Sequence, residues 1–155
     1  MRPSRDEWAM KLALLTAQRA TCLRRQVGCV LLNARGHVLA TGYNGVAAGL
    51  THCNQHDPFD PLGFPHACSG ANSPSGTNLD GCQAIHAEQN AMLQCRDVYA
   101  IHTAYVTASP CMTCVKLLLN TTCERIVFVE EYPHSDARKL WEGAGRVWEQ
   151  IFVEI

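Results

Sequence analysis

Apolar positions along the chain recur with two periods, and the changes between them divide it into elements. Trp8, Leu12, Leu15 and Leu23 fall at roughly helical intervals behind Ser4 and Glu7, whose spacing is that of a capping box, so an amphipathic helix is expected over residues 5–23. Residues 27–32 and 37–43 are rich in apolar and β-branched side chains and flank Asn33-Ala34-Arg35-Gly36, which predicts a hairpin. From Asn44 to about Gln83 the periodicity gives way to Gly, Pro, His, Asn and Cys, in a stretch too long for an unsupported loop inside a compact domain. Helical spacing returns over residues 84–96. A strand over 104–108, a helix from Pro110-Cys111 to Asn120 and a strand over 125–129 follow. A helix over 135–143, stopped by Gly143-Ala144-Gly145, and a strand over 147–153 complete the chain.

The order α-β-β-α-β-α-β-α-β places the chain in the α/β class. It predicts three α/β/α layers around a five-stranded mixed sheet, mostly parallel in its second half, with helices on both faces. A length of 155 residues suits one domain carrying an irregular insertion at about 44–83, and no internal repeat is visible. With 47% hydrophobic and 17% charged residues the chain is too apolar for disorder and too interrupted for a membrane span. The start, Met-Arg-Pro-Ser-Arg-Asp-Glu-Trp, has neither the apolar run of a signal peptide nor an acylation motif, so the cytoplasm is the expected location. A net charge of -1 argues against a general nucleic-acid binder and leaves a small anionic ligand open.

Nine cysteines and seven histidines change the picture, because in a reducing compartment they point to metal before disulfides. His86-Ala87-Glu88 and Pro110-Cys111-Met112-Thr113-Cys114 both stand at predicted helix starts. In mid-helix, positions i and i+2 point about 200° apart, whereas in the first turn both side chains can reach past the end of the axis. Cys111 and Cys114 share one face of a first turn, where the helix dipole favours thiolates. Two thiolates and a neutral imidazole from His86 balance Zn²⁺ and leave its fourth position for water. Glu88 is then placed to carry a proton from that water to a ring nitrogen. Alone, Cys-x-x-Cys reads equally as a structural zinc knuckle or a redox pair. His-x-Glu placed 25 residues earlier (111 minus 86) changes that, since the two together are the signature of zinc-dependent base deaminases.

Beyond the metal motif, the chain resembles the deoxycytidylate deaminase family over nearly its whole length. Gln26-Val27-Gly28-Cys29-Val30, Thr41-Gly42-Tyr43-Asn44-Gly45, Ile85-His86-Ala87-Glu88-Gln89-Asn90-Ala91 and Tyr105-Val106-Thr107 with Ser109-Pro110-Cys111 carry the likeness. The resemblance implies a cytidine deaminase-like fold and hydrolytic deamination of deoxycytidine monophosphate to deoxyuridine monophosphate, supplying the thymidylate precursor. It further implies a homohexamer activated by dCTP with Mg²⁺ and inhibited by dTTP. Asn44, Tyr132 and Ala87 are the substrate contacts it implies. Without the resemblance, Asn44-Gly45 is simply a turn, and Tyr132 an aromatic after a strand. Arg24, Arg25, Lys116 and His134 are the candidate phosphate donors. The loop from Gly45 to Gly49 is a candidate cradle for an effector triphosphate.

Four further cysteines, Cys22, Cys53, Cys68 and Cys82, lie at or within the aperiodic stretch with His52, His56 and His66. Some family members carry a second, structural zinc near here, and Cys22 and Cys53 resemble two of its ligands. A site of Cys22, Cys53 and Cys82, completed by Cys68 or His66, would anchor the insertion. The competing reading is a set of free cysteines. Cys29, Cys95 and Cys123 are expected as small buried residues, and His37 and His102 as ordinary loop or strand histidines. Rival functions are deamination of dCTP, transfer-RNA adenosine, guanine or free cytidine on the same metal core, or a non-catalytic zinc-binding module.

Overall fold

In a computed structural model, residues 1–21, 25–48, 84–133 and 135–154 are described. Most of the expected insertion, residues 49–83, lies outside them, and with it Gly49, Cys53, Cys68, Cys82 and His66; so do Cys22, Arg24 and His134. The elements are α1 (Arg5–Ala17), β1 (Gly28–Asn33), β2 (Val38–Tyr43), α2 (Ala87–Gln94), a 3₁₀ turn (Val98–Ala100), β3 (Ile101–Ala108), α3 (Met112–Leu119), β4 (Arg125–Glu130), α4 (Ser135–Gly143) and β5 (Val147–Gln150). The strands form one mixed sheet in the order β2-β1-β3-β4-β5. β1 runs antiparallel to β2 and β3, while β3, β4 and β5 are parallel.

Alternation along the central strands sorts the core into two layers, as a period of two requires. Cys29 and Leu31 of β1, Ala104 and Val106 of β3, and Ile126 and Phe128 of β4 pack with Ala87 and Ala91 of α2, Val115 and Leu118 of α3, and Ala137 and Trp141 of α4. Their neighbours Val30, Leu32, Tyr105 and Val127 face α1, through Ala9, Met10 and Ala13. The predicted three α/β/α layers are present, with the C-terminal Ile151 and Val153 packed beside α1.

Two strand glycines set how closely helices approach. A Cβ on Gly28 would lie 2.0 Å from the Ala13 carbonyl oxygen of α1, and one on Gly42 would lie 2.4 Å from both the Ala87 oxygen and the Ala91 nitrogen of α2. Only glycine admits a helix backbone at that distance. The same approach corrects the expected face of α1. Its buried residues are the small Ala9, Ala13 and Ala17 with Met10, whereas Leu15 and Trp8 are exposed.

α1 also stops at Ala17, short of residue 23. The amides of Gln18, Arg19 and Ala20 fall back on carbonyls three residues earlier, and the Thr21 amide leaves the helix for the Asn44 carbonyl. The capping box is half formed. Ser4 Oγ accepts from the Glu7 amide, but the Glu7 carboxylate pairs with Lys11 instead of returning to the cap.

β3 begins earlier than expected, at Ile101, which pairs with Asn33 of β1. β5 ends at Gln150, because the following segment turns its apolar residues onto the α1 layer. α2 starts at Ala87, three residues after the expected 84, since Ile85 is held in an antiparallel bridge with Gly45. That bridge clasps the two ends of the aperiodic stretch. Among the described residues no helix is long and apolar enough to cross a membrane.

One polar network ties α1 to the sheet. Arg125 Nη1 and Nη2 donate to the two Asp6 oxygens at 2.8 and 2.7 Å, Arg125 also donates to Glu149, and the Tyr105 hydroxyl donates to Asp6. The guanidinium holds the Asp6 carboxyl below its usual range.

Candidate active site

β1 begins, and β2, β3 and β4 all finish, at one end of the sheet, so the segments leaving them meet there. In sheets of this kind that end is where ligands bind. His86 is the N-cap of α2 and Cys111 the N-cap of α3, both with extended backbone, and Glu88 and Cys114 follow in the two first turns. The convergence expected of two helix starts is therefore realised.

The His86 amide donates to Gln89 Oε1 at 3.0 Å, closing the first turn, and Asn90 Nδ2 donates to the Tyr43 carbonyl at 2.8 Å, tying α2 to the end of β2. The His86 Nδ1 atom lies 3.3 Å from Cys114 Sγ and 3.4 Å from Cys111 Sγ. Zn–N and Zn–S bonds meeting at the tetrahedral angle place nitrogen and sulfur about 3.5 Å apart, so the three donors already surround one zinc-sized point. All three ligand atoms lie within 4.8 Å of one another.

The electrostatics favour a cation in that gap. The Cys111 thiol is pulled down to about 4, first by a hydrogen bond from Cys114 and, against burial, by His86. The same bond and burial push Cys114 up, so the pair carries one negative charge readily and a second only beside a positive ion. Glu88 is 4% exposed, and burial pushes its carboxyl above the usual range while the Cys114 thiol and His86 pull the other way. The site thus holds three soft or borderline donors and, next to them, a buried carboxyl that gives up its proton less readily than an exposed one.

Asn44 is nearly buried and its amide is engaged locally. Oδ1 accepts from the Val27 amide and Nδ2 donates to the Arg25 carbonyl, both at 2.8 Å. It therefore pins the bend leading into β1, and among the described residues these two bonds use one amide hydrogen and one lone pair of its side chain. The Ala87 side chain is buried in the core, which leaves its first-turn amide as the group facing the helix end. The Gly45 amide donates to the Ile85 carbonyl at 3.1 Å and so serves the bridge. Lys116 is exposed on α3.

Tyr132 and Arg25 do come together. The Tyr132 amide donates to Ser109 Oγ at 2.6 Å, the Arg25 guanidinium lies 4.5 Å from the Tyr132 ring centroid, and Glu130 stands 3.6 Å from Arg25. Stacking of a partly desolvated cation contributes about 0.5–2 kcal/mol, against about 0–1 kcal/mol for an exposed ion pair. The ring, more than the carboxylate, sets where Arg25 sits.

Sequence reading assigned no role to Gln89, Asn90 or Ser109, although each stood inside a quoted motif. Their polarity beside a helix start was the available signal. Cys29 and Cys123 are fully buried as expected; Cys95 is only partly so, with Sγ donating to the Asp97 carbonyl. His102 contacts Thr103 and Glu124, and His37 is exposed after the hairpin turn.

The profile of the family described as the cytidine and deoxycytidylate deaminase zinc-binding region matches residues 3–130. A deoxycytidylate deaminase of Mycobacterium phage D29 is 37% identical over 134 residues, spanning 84% of this chain and 98% of the phage protein. A deoxycytidylate deaminase of Saccharomyces cerevisiae is 39% identical over 85% of this chain but only 39% of its own length, so the chain spans about two fifths of that relative. A crystal structure of dCMP deaminase from cyanophage S-TIM5, in complex with dCMP and dUMP, superposes with a TM-score of 0.73 at 25% identity over 97% of this chain and 99% of that one. With its His86, Cys111 and Cys114 set in the matched region, the chain belongs to the cytidine and deoxycytidylate deaminase zinc-binding family.

Proposed function

We propose that this chain catalyses the hydrolytic deamination of deoxycytidine monophosphate to deoxyuridine monophosphate, with His86, Cys111 and Cys114 holding a catalytic Zn²⁺ and Glu88 moving the proton. The observation that carries it is the buried Glu88 carboxyl directly behind a three-donor pocket, an arrangement a purely structural zinc site has no use for. The ligands named for the cyanophage protein and the phage relative's name support the substrate.

When bound, the metal supplies Lewis acidity that makes the attacking water a better nucleophile at neutral pH. Glu88 takes a proton from that water as its oxygen bonds to C4 of the pyrimidine, and passes the proton to N3. The carboxyl then moves the remaining hydroxyl proton to the exocyclic amine, the C4–N bond breaks, and ammonia leaves. Burial of Glu88 suits this shuttle, because a carboxyl raised above its usual range holds a proton more firmly between the two transfers. Asn44 and the Ala87 amide would orient the substrate's sugar and base, and Tyr132 would lie near its phosphate.

The test is to incubate zinc-loaded protein with dCMP, dCTP, deoxycytidine, guanine and a transfer-RNA anticodon stem, and to measure ammonia. Fastest release from dCMP is expected; preference for another substrate moves the assignment within the family, and inertness toward all favours a zinc-binding module. Repeating the assay with dCTP and Mg²⁺, and with dTTP, checks the proposed activation and inhibition, and sedimentation checks the hexamer. The second zinc proposed at Cys22, Cys53 and Cys82 with Cys68 or His66 predicts two zinc ions per chain by elemental analysis, and one ion would remove it.

A further inference from the structure

Arg25 occupies a defined place at the catalytic end of the sheet. Its carbonyl is held by Asn44, which follows β2 and leads through the Gly45–Ile85 bridge to His86. Its guanidinium lies on Tyr132, whose amide is held by Ser109, two residues before Cys111. Both helix starts that carry the metal donors are therefore linked to this one arginine. Only 22% of its side chain is exposed.

The acidic group paired with it among the described residues is Glu130, at 3.6 Å, beyond direct hydrogen-bond reach and with 74% of its side chain exposed. A well-hydrated, singly charged carboxylate at that distance neutralises the guanidinium without engaging its N–H fork. A phosphate brings more charge and several acceptor oxygens that can use the fork. The ring stacking keeps Arg25 in place whichever anion is present.

We propose that Glu130 is a built-in competitor for Arg25, occupying the guanidinium until the anionic end of a nucleotide displaces it, so that Glu130 sets how strongly the site favours a phosphorylated over an unphosphorylated nucleoside. This rests on the proposal above that the substrate is a monophosphate. Glu130 acts here as a specificity-determining residue that touches no reacting atom.

The experiment is calorimetric titration of the zinc-loaded protein with dCMP and with deoxycytidine at low ionic strength, all in a Glu88→Gln background so that turnover does not mask binding, for that parent, and with Glu130→Gln, Arg25→Gln or both added. Glu130→Gln is expected to tighten dCMP binding by about twofold to fivefold, the range an exposed ion pair commands. Arg25→Gln should weaken dCMP, the double variant should lose the Glu130→Gln gain, and deoxycytidine should bind all four alike. An unchanged dCMP affinity in Glu130→Gln, an equal gain for deoxycytidine, or a gain that survives Arg25→Gln overturns the proposal. So does a parent chain that binds dCMP no more tightly than deoxycytidine. Tight dCMP binding in that background with no ammonia release from the chain that keeps Glu88 would instead sink the deamination reading and leave the Glu130 result standing.

Discussion

At the scale of single residues, the proposed proton transfer can be tested apart from metal holding. Glu88 lies beside the ligands but is not needed to complete the donor set of His86, Cys111 and Cys114. Glu88→Gln keeps the volume and some hydrogen bonding but removes the titrating group. Ammonia release should fall by about 10²- to 10⁴-fold, the usual contribution of a positioned acid-base group, with the zinc content unchanged. Elemental analysis alongside the assay checks both halves, and retained turnover would take the proton-carrying role from Glu88. The identities of these four residues were legible in the chain because metal-ligand chemistry restricts each position to a few side chains. The local use of the Asn44 amide on Val27 and Arg25 was not, since an Asn-Gly pair reads the same wherever its side chain points.

At the scale of elements, the site depends on how two helices are seated. α2 rests on β2 at Gly42, where an added Cβ would meet backbone atoms of Ala87 and Ala91 that cannot rotate away. Gly42→Val should destabilise the fold by about 1–3 kcal/mol or more, as overpacking does. It should also loosen zinc, because the helix it displaces begins at His86. Denaturant unfolding and a competitive chelator titration would show the two losses together; a stability loss with unaltered zinc affinity would mean that α2 shifts without carrying its N-terminus. α3 is secured from its far end. Arg146 donates to the carbonyls of Leu118, Leu119, Thr121 and Cys123 at 3.2, 2.9, 3.4 and 2.8 Å, closing the C-terminus of the helix whose start carries Cys111 and Cys114. Nothing in the local sequence pairs Arg146 with carbonyls more than twenty residues earlier.

At the scale of the whole molecule, the Asp6–Arg125–Glu149–Tyr105 network joins α1 to β3, β4 and β5, residues up to 143 apart in sequence (149 minus 6). Arg125 lowers the Asp6 carboxyl, so the native state binds a proton at Asp6 less readily than the unfolded chain. The stabilisation is therefore complete above the ordinary Asp range, near pH 4, and is lost as pH falls through the lowered native value. Asp6→Asn should lower stability at pH 7, by about 1 kcal/mol after screening of a side chain that is 32% exposed. The difference from the parent chain should shrink below about pH 4, in thermal melts recorded across that range. A constant offset down to pH 2 would assign the loss to packing rather than to the charge.

The sequence by itself determined the order of elements, the mixed sheet and the metal-and-carboxylate set, because hydrophobic period and ligand chemistry are local properties carried by neighbouring residues. Element ends were less legible. Residues 18–23 keep an apolar pattern, yet the Thr21 amide is drawn to Asn44, and Leu15, which fits a helical stripe, faces solvent because Gly28 brings the Ala13 face against β1. Only the tertiary structure decided which face of α1 is buried, that Arg25 lies on Tyr132 beside Glu130, and that Asp6 meets Arg125. These depend on which strands stand side by side and how closely helices approach them, and pairings across the sheet leave no periodic trace along the chain.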